Sequence, residues 1–157
     1  MRPPKSPRTW FVVADGARAR FFVASDDGRK LASVRGVDMV APASRGRTRD
    51  LAGDKPGRTY ASSRSGSRHA LEPAHDPHKL AKHRFTAELA QVLDSACGRR
   101  EFDQIVLVAP RRSLGELREL MTARVRRCIA REVAKDLTNE TAAGLWRRLK
   151  PPAGSGA

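Results

Sequence analysis

The run Trp10-Phe-Val-Val-Ala14 is followed by Asp15-Gly16 and then by Ala17, Ala19, Phe21 and Val23, interleaved with Arg18, Arg20 and Phe22. Two strand-like runs joined by Asp-Gly predict a hairpin over residues 9–24, because a tight turn needs the positive φ that Gly and Asp tolerate. Asp26-Asp27-Gly28 marks a second turn, and a third strand around Lys30 to Val40, interrupted at Arg35-Gly36, extends the pattern to an antiparallel meander.

The pattern then lapses. From Pro42 to about His75 the sizeable apolar residues are Leu51, Tyr60 and Leu71, too few to offset the entropy of ordering the segment, so a long mobile loop is expected. Helical spacing begins at Asp76-Pro77, an N-cap followed by a residue favoured at the first helical position. It continues through Phe85, Leu89, Val92, Leu93 and Ala96 to an end signal at Cys97-Gly98. Gln104-Ile-Val-Leu-Val-Ala109 is a continuous apolar run, the signature of a strand covered on both faces, and Pro110 ends it. Ser113-Leu-Gly-Glu116 reads as a capping box opening a second helix with Leu114, Leu117, Met121, Val125, Cys128 and Glu132 on one face. Leu145 to Lys150 suggests a short third helix. The basic segment 1–8 and the tail 151–157 are expected to be flexible, which leaves one domain over residues 9–150. The expected class is α/β: a mixed sheet, made of the meander plus the buried strand, with helices packed on it.

A chain of 157 residues with 39% hydrophobic residues can build one such core. No apolar run approaches the roughly 20 residues of a membrane-spanning helix, and the N-terminus lacks a signal-peptide pattern, so a cytoplasmic location without integral membrane association is expected. Cys97 and Cys128 form no Cys-x-x-Cys pair and read as small core hydrophobes.

Charge adds the functional clue. The formal net charge is +14, and it is concentrated. One basic region comprises the long loop and the start of the first helix: Arg45, Arg47, Arg49, Lys55, Arg58, Arg64, Arg68, Lys79, Lys82 and Arg84. The other comprises Arg111 and Arg112, just ahead of the second helix, with Arg124, Arg127 and Arg131 along it. At 100° per residue the last three would form one ridge beside the apolar stripe, able to track a phosphate backbone. Arg111 and Arg112 could hold an anion against the free N–H groups of a helix start. His69, His75, His78 and His83 lie in one short stretch without a His-Glu-x-x-His arrangement, in basic surroundings that disfavour a cation. Asp15 is accounted for by its turn, and the loop serines lack a nucleophile elbow. No metal, cofactor or catalytic constellation is expected.

The order of these motifs resembles a known group. Trp10 to Phe22, Asp54-Lys-Pro-Gly-Arg58, Phe85 with Leu89, Leu107-Val-Ala-Pro110, Leu114-Gly-Glu-Leu-Arg118 and Glu132 to Thr138 resemble, in order, the bacterial host attachment proteins. That family is in turn similar to the central domain of archaeal and eukaryotic peptide-chain release factors. The resemblance implies a release-factor-like domain with a ribosomal or transfer RNA partner. Those factors carry Gly-Gly-Gln in the loop before the long helix; here the segment reads Arg58 to His69 without glutamine, and Gln91 and Gln104 lie elsewhere. The expectation is therefore a non-catalytic RNA-contacting module. The alternative is an interaction protein for attachment to host cells or surfaces without nucleic-acid binding.

Overall fold

The computed structural model describes residues 7–25, 28–34, 38–41 and 77–150. Strands β1 (Thr9–Ala14) and β2 (Arg18–Ala24) pair antiparallel, with Val12 opposite Phe21. The expected third strand is two short pieces, β3 (Leu31–Ser33) and β4 (Met39–Val40), each antiparallel to β2. Helix α1 (Pro77–Gly98) then crosses over to β5 (Gln104–Ala109), which lies parallel to β1. Helices α2 (Arg111–Leu120) and α3 (Ala123–Arg127) lead to β6 (Ile129–Ala134), parallel to β5, and α4 (Ala142–Leu149) follows. The sheet order is β3-β2-β1-β5-β6, with β4 also on β2. This is the mixed α/β sheet expected from the pattern.

The two central strands have no solvent face. Trp10, Val12, Ala14, Ile105, Leu107 and Ala109 point to the side covered by α1, α2 and α3, where they meet Leu89, Leu93, Leu117 and Val125. Phe11, Val13, Val106 and Val108 point the other way, onto Leu145 and Leu149 of α4. This two-sided burial is why β1 and β5 read as continuous apolar runs rather than alternating ones. Both parallel crossovers place their helices on the same side of the sheet; of the described helices, α4 covers the opposite face, with Trp146 edge-on to Phe11 at 6.2 Å.

Several local expectations are corrected. The β1–β2 turn is held by its side chain, not by a left-handed glycine: Asp15 Oδ1 accepts the N–H groups of Ala17 and Arg18 at 2.7 and 2.8 Å. The glycine at positive φ among the described residues is Gly28 (67°), in the second turn. The helix after Pro110 begins at Arg111, so Ser113 lies inside its first turn, and Pro110 at the N-cap offers no side-chain hydrogen bond. That helix does not run on through Glu132. It ends where Met121 turns extended (ψ 147°), Thr122 caps the short α3 by accepting from Val125 N, and the chain enters β6 after Cys128. The spacing Leu114, Leu117, Met121, Val125 buries one stripe in two short helices as readily as in one. What selects the break is β5, whose open edge would leave backbone groups unpaired without β6.

Candidate functional site

At the carboxyl ends of the parallel strands β1, β5 and β6 the described residues line a cleft of about 530 Å³. Crevices at this edge of α/β sheets are where the fold leaves loop and helix-terminal groups free to meet a ligand. The β1–β2 turn supplies Asp15, Gly16 and Ala17, and the first turns of α1 supply His78, Lys79 and Lys82. Pro110, Arg112, Ser113 and Glu116 come from the start of α2, and Asp136 from the segment after β6.

Each wall has a local reason. The α1 stripe becomes apolar only at Phe85, so its opening turns project past the core as an exposed basic stub. A Cβ on Gly16 would stand 3.0 Å from Cγ and Cδ of Lys82, so the bare glycine is what lets the lysine stem lie against the turn. The acidic wall is built around Thr138, which is 1% exposed. Its hydroxyl lies 3.1 Å from Asp15 Oδ2 and 2.8 Å from Asp136 Oδ1. One hydroxyl proton serves one of those two carboxylates at a time. Arg20 fixes this segment from behind, donating from Nη1 to the carbonyls of Thr138 (3.1 Å) and Glu140 (2.6 Å) while its guanidinium lies 4.9 Å over the Phe22 ring.

The electrostatics of the basic wall are unusual. Neither α1 nor α2 has an acid in its first turn, and both have cations there instead. Helix N-termini carry partial positive charge and unpaired N–H groups, so cations in the first turn oppose the local field. Among the described residues, the side chains of Lys79, Lys82, Arg111 and Arg112 make no hydrogen bond or ion pair that would quench them.

The expected arginine ridge, by contrast, does not exist as a helix face. Arg124 binds Asp94, with Nε 2.9 Å from Oδ1, and holds that carboxyl below its ordinary range. Arg127 Nε donates back to Ala123 O at 3.3 Å. Arg131 lies on β6, not on a helix, and its Nη2 donates to Leu149 O at the end of α4. The end of α3 at Cys128 takes Arg131 off the helix, and Arg124 and Arg127, both on α3, turn to different partners. Arg45, Arg47, Arg49, Lys55, Arg58, Arg64 and Arg68 lie outside the described residues. Among the described residues the structure thus brings together Lys79, Lys82 and Arg112, with Arg111 beside them, and places Arg124, Arg127 and Arg131 elsewhere.

Glu116, Asp136, Thr138 and Arg20 escaped the sequence reading. The Asp136-x-Thr138 pair carried a faint signal, since Thr138 N donates to Asp136 Oδ1 at 3.3 Å in a local Asx-type turn. No group of three or more metal-ligating side chains occurs among the described residues, and no helix there is long and apolar enough to cross a membrane.

The architecture is that of a one-sheet α/β protein whose polar cleft sits at the carboxyl edge. Residues 10–149 match the family described as protein required for attachment to host cells, and the chain belongs to that family. Among curated proteins, none matches it.

Proposed function

We propose that this host attachment family protein is a non-catalytic module that contacts RNA, ribosomal or transfer, through the basic wall of the carboxyl-edge cleft. The carrying observation is the placement of Lys79, Arg111 and Arg112 in helix first turns with Lys82 one turn further on, where an intramolecular anion would ordinarily sit and cations cost stability. An arriving phosphate reverses that cost, since helix-start N–H groups and arginine both favour it. Asp15 and Asp136 on the other wall, and Glu116 one turn along α2 from Arg112, can accept hydrogen bonds from ribose hydroxyls or base amino groups, which suits RNA better than a bare polyanion. The order of sequence motifs, similar to that of release-factor central domains, supports the same partner. The chain offers no Gly-Gly-Gln tip, so holding RNA rather than hydrolysing an ester is the proposed role.

Binding of transfer RNA, followed by fluorescence anisotropy from low to high KCl, tests this. Affinity should fall linearly on a log–log plot. The K79A/K82A/R111A/R112A variant should bind about 100-fold more weakly and lose about 3 from the slope, at roughly 0.7 per single-strand phosphate contact. Absence of binding at low salt, or an unchanged slope in a folded variant, overturns the reading.

A further inference from the structure

Away from the cleft, at the opposite end of α1, two sulfurs lie side by side. Cys97 occupies the penultimate position of α1 and Cys128 caps the C-terminus of α3, and their Sγ atoms are 4.0 Å apart. Both side chains are half-buried and pack against the edge of the main core. We propose that Cys97 and Cys128 are a modification site, a dithiol that a low-molecular-weight disulfide converts to an intramolecular disulfide bond.

Geometry carries the case. A disulfide needs its sulfurs at about 2.05 Å, so each must move by about 1 Å, within reach of side-chain rotation with little backbone shift. The backbones are already fixed: Cys97 O accepts Arg100 N, Cys128 N donates to Val125 O, and Cys128 O accepts Ile105 N. The helices are also clamped beside the sulfurs, because Asp94 of α1 takes hydrogen bonds from Thr122 and Arg124. Such clamping holds the thiols at a high effective concentration and favours closure within the chain over pairing between chains. Burial, and then the neighbouring Cys97 sulfur, push the Cys128 thiol up. Cys128 is therefore suited to the second, proximity-driven step and not to first attack.

The chemistry balances with glutathione disulfide as the oxidant. The Cys97 thiolate attacks one glutathione sulfur, forming a mixed disulfide and expelling glutathione thiolate. Cys128, losing its proton, then attacks the Cys97 sulfur and expels the second thiolate. Two protein thiols are oxidised, one glutathione disulfide becomes two thiols, and the two protons end on the expelled sulfurs. The bond would staple α1 to the junction where Ala130 bulges out of the β5–β6 register.

Incubation of the full chain with glutathione disulfide, followed by alkylation under denaturing conditions and a non-reducing peptide map, tests the proposal. A monomer lighter by about 2 Da, a cross-linked Cys97–Cys128 peptide and a melting temperature raised by up to about 10 °C are expected. The C128S variant should stop at the Cys97–glutathione adduct. Two alkylatable thiols after oxidation, or disulfides formed only between chains or with glutathione, overturn it. Mapping of the wild-type protein decides the matter even if the variant does not fold.

Discussion

The flank built by α2, α3 and β6 and the cleft at the carboxyl edge are both rich in cations, and they employ them in opposite ways. On the flank, guanidinium groups donate to groups of the fold itself. Arg126 Nη1 reaches the carbonyls of Arg118 and Met121 at the end of α2, Arg131 the last carbonyl of α4, Arg124 the Asp94 carboxylate and Arg118 the Glu132 carboxylate. Helix C-termini expose carbonyls with partial negative charge, so a cation there completes the structure. At the cleft the cations stand at or near helix N-termini, where the free backbone groups are N–H donors that cannot accept from a cation. The same residue type is thus structural at one end of a helix and available at the other.

Exchange of the two sets should give the sharpest contrast. The R118A/R124A/R131A variant should keep the salt slope and RNA affinity of the parent within about twofold while melting at a lower temperature; the cleft variant should do the reverse. Equal losses of binding in both would erase the distinction.

Next in size is Arg20, which belongs to neither set in sequence but supports the acidic wall. The R20M substitution strands the Thr138 and Glu140 carbonyls and should cost about 2 kcal/mol in urea denaturation, with no change in salt slope. A loss below a few tenths of a kcal/mol would show that the segment from Asp136 to Glu140 is held by other contacts.

The smallest effect is acid weakening of the flank. Hydrogen bonding to Arg118 holds the Glu132 carboxyl below its ordinary value of 4.5. A carboxyl lowered in the folded state adds stability that is complete above its unfolded value and disappears as pH falls through the folded one. Melting temperature should therefore begin to drop below about pH 4.5, and E132Q should show a shallower drop from a lower plateau. An identical acid limb in E132Q would assign the loss to other carboxyls, Asp94 and Asp103 among them.

Much of the sheet and of α1 was legible. Continuous apolar runs bounded by Asp-Gly and Pro can be satisfied in few ways, and the stripe Phe85, Leu89, Leu93, Ala96 permits only one buried helix face. The region after Pro110 was misread for a physical reason. Its apolar spacing suits one helix or two, and only the unpaired edge of β5 turns Ile129–Ala134 into a strand. The arginine ridge failed with that helix. At the cleft, Lys79, Lys82, Arg111 and Arg112 were expected from charge concentration alone, the same ground on which Arg124, Arg127 and Arg131 were expected. Thr138 and Asp136 could not be expected, since their roles depend on Asp15, a residue 123 positions from Thr138.

The sequence by itself determined the two-sided burial of β5, the span of the long helix α1 and the excess of positive charge, because each follows from local period and composition. The tertiary structure decided which cations are consumed and which are offered. Consumption depends on whether a carbonyl end, a carboxylate or an N–H end of some distant element lies within hydrogen-bonding reach, and no periodicity along the chain encodes that distance.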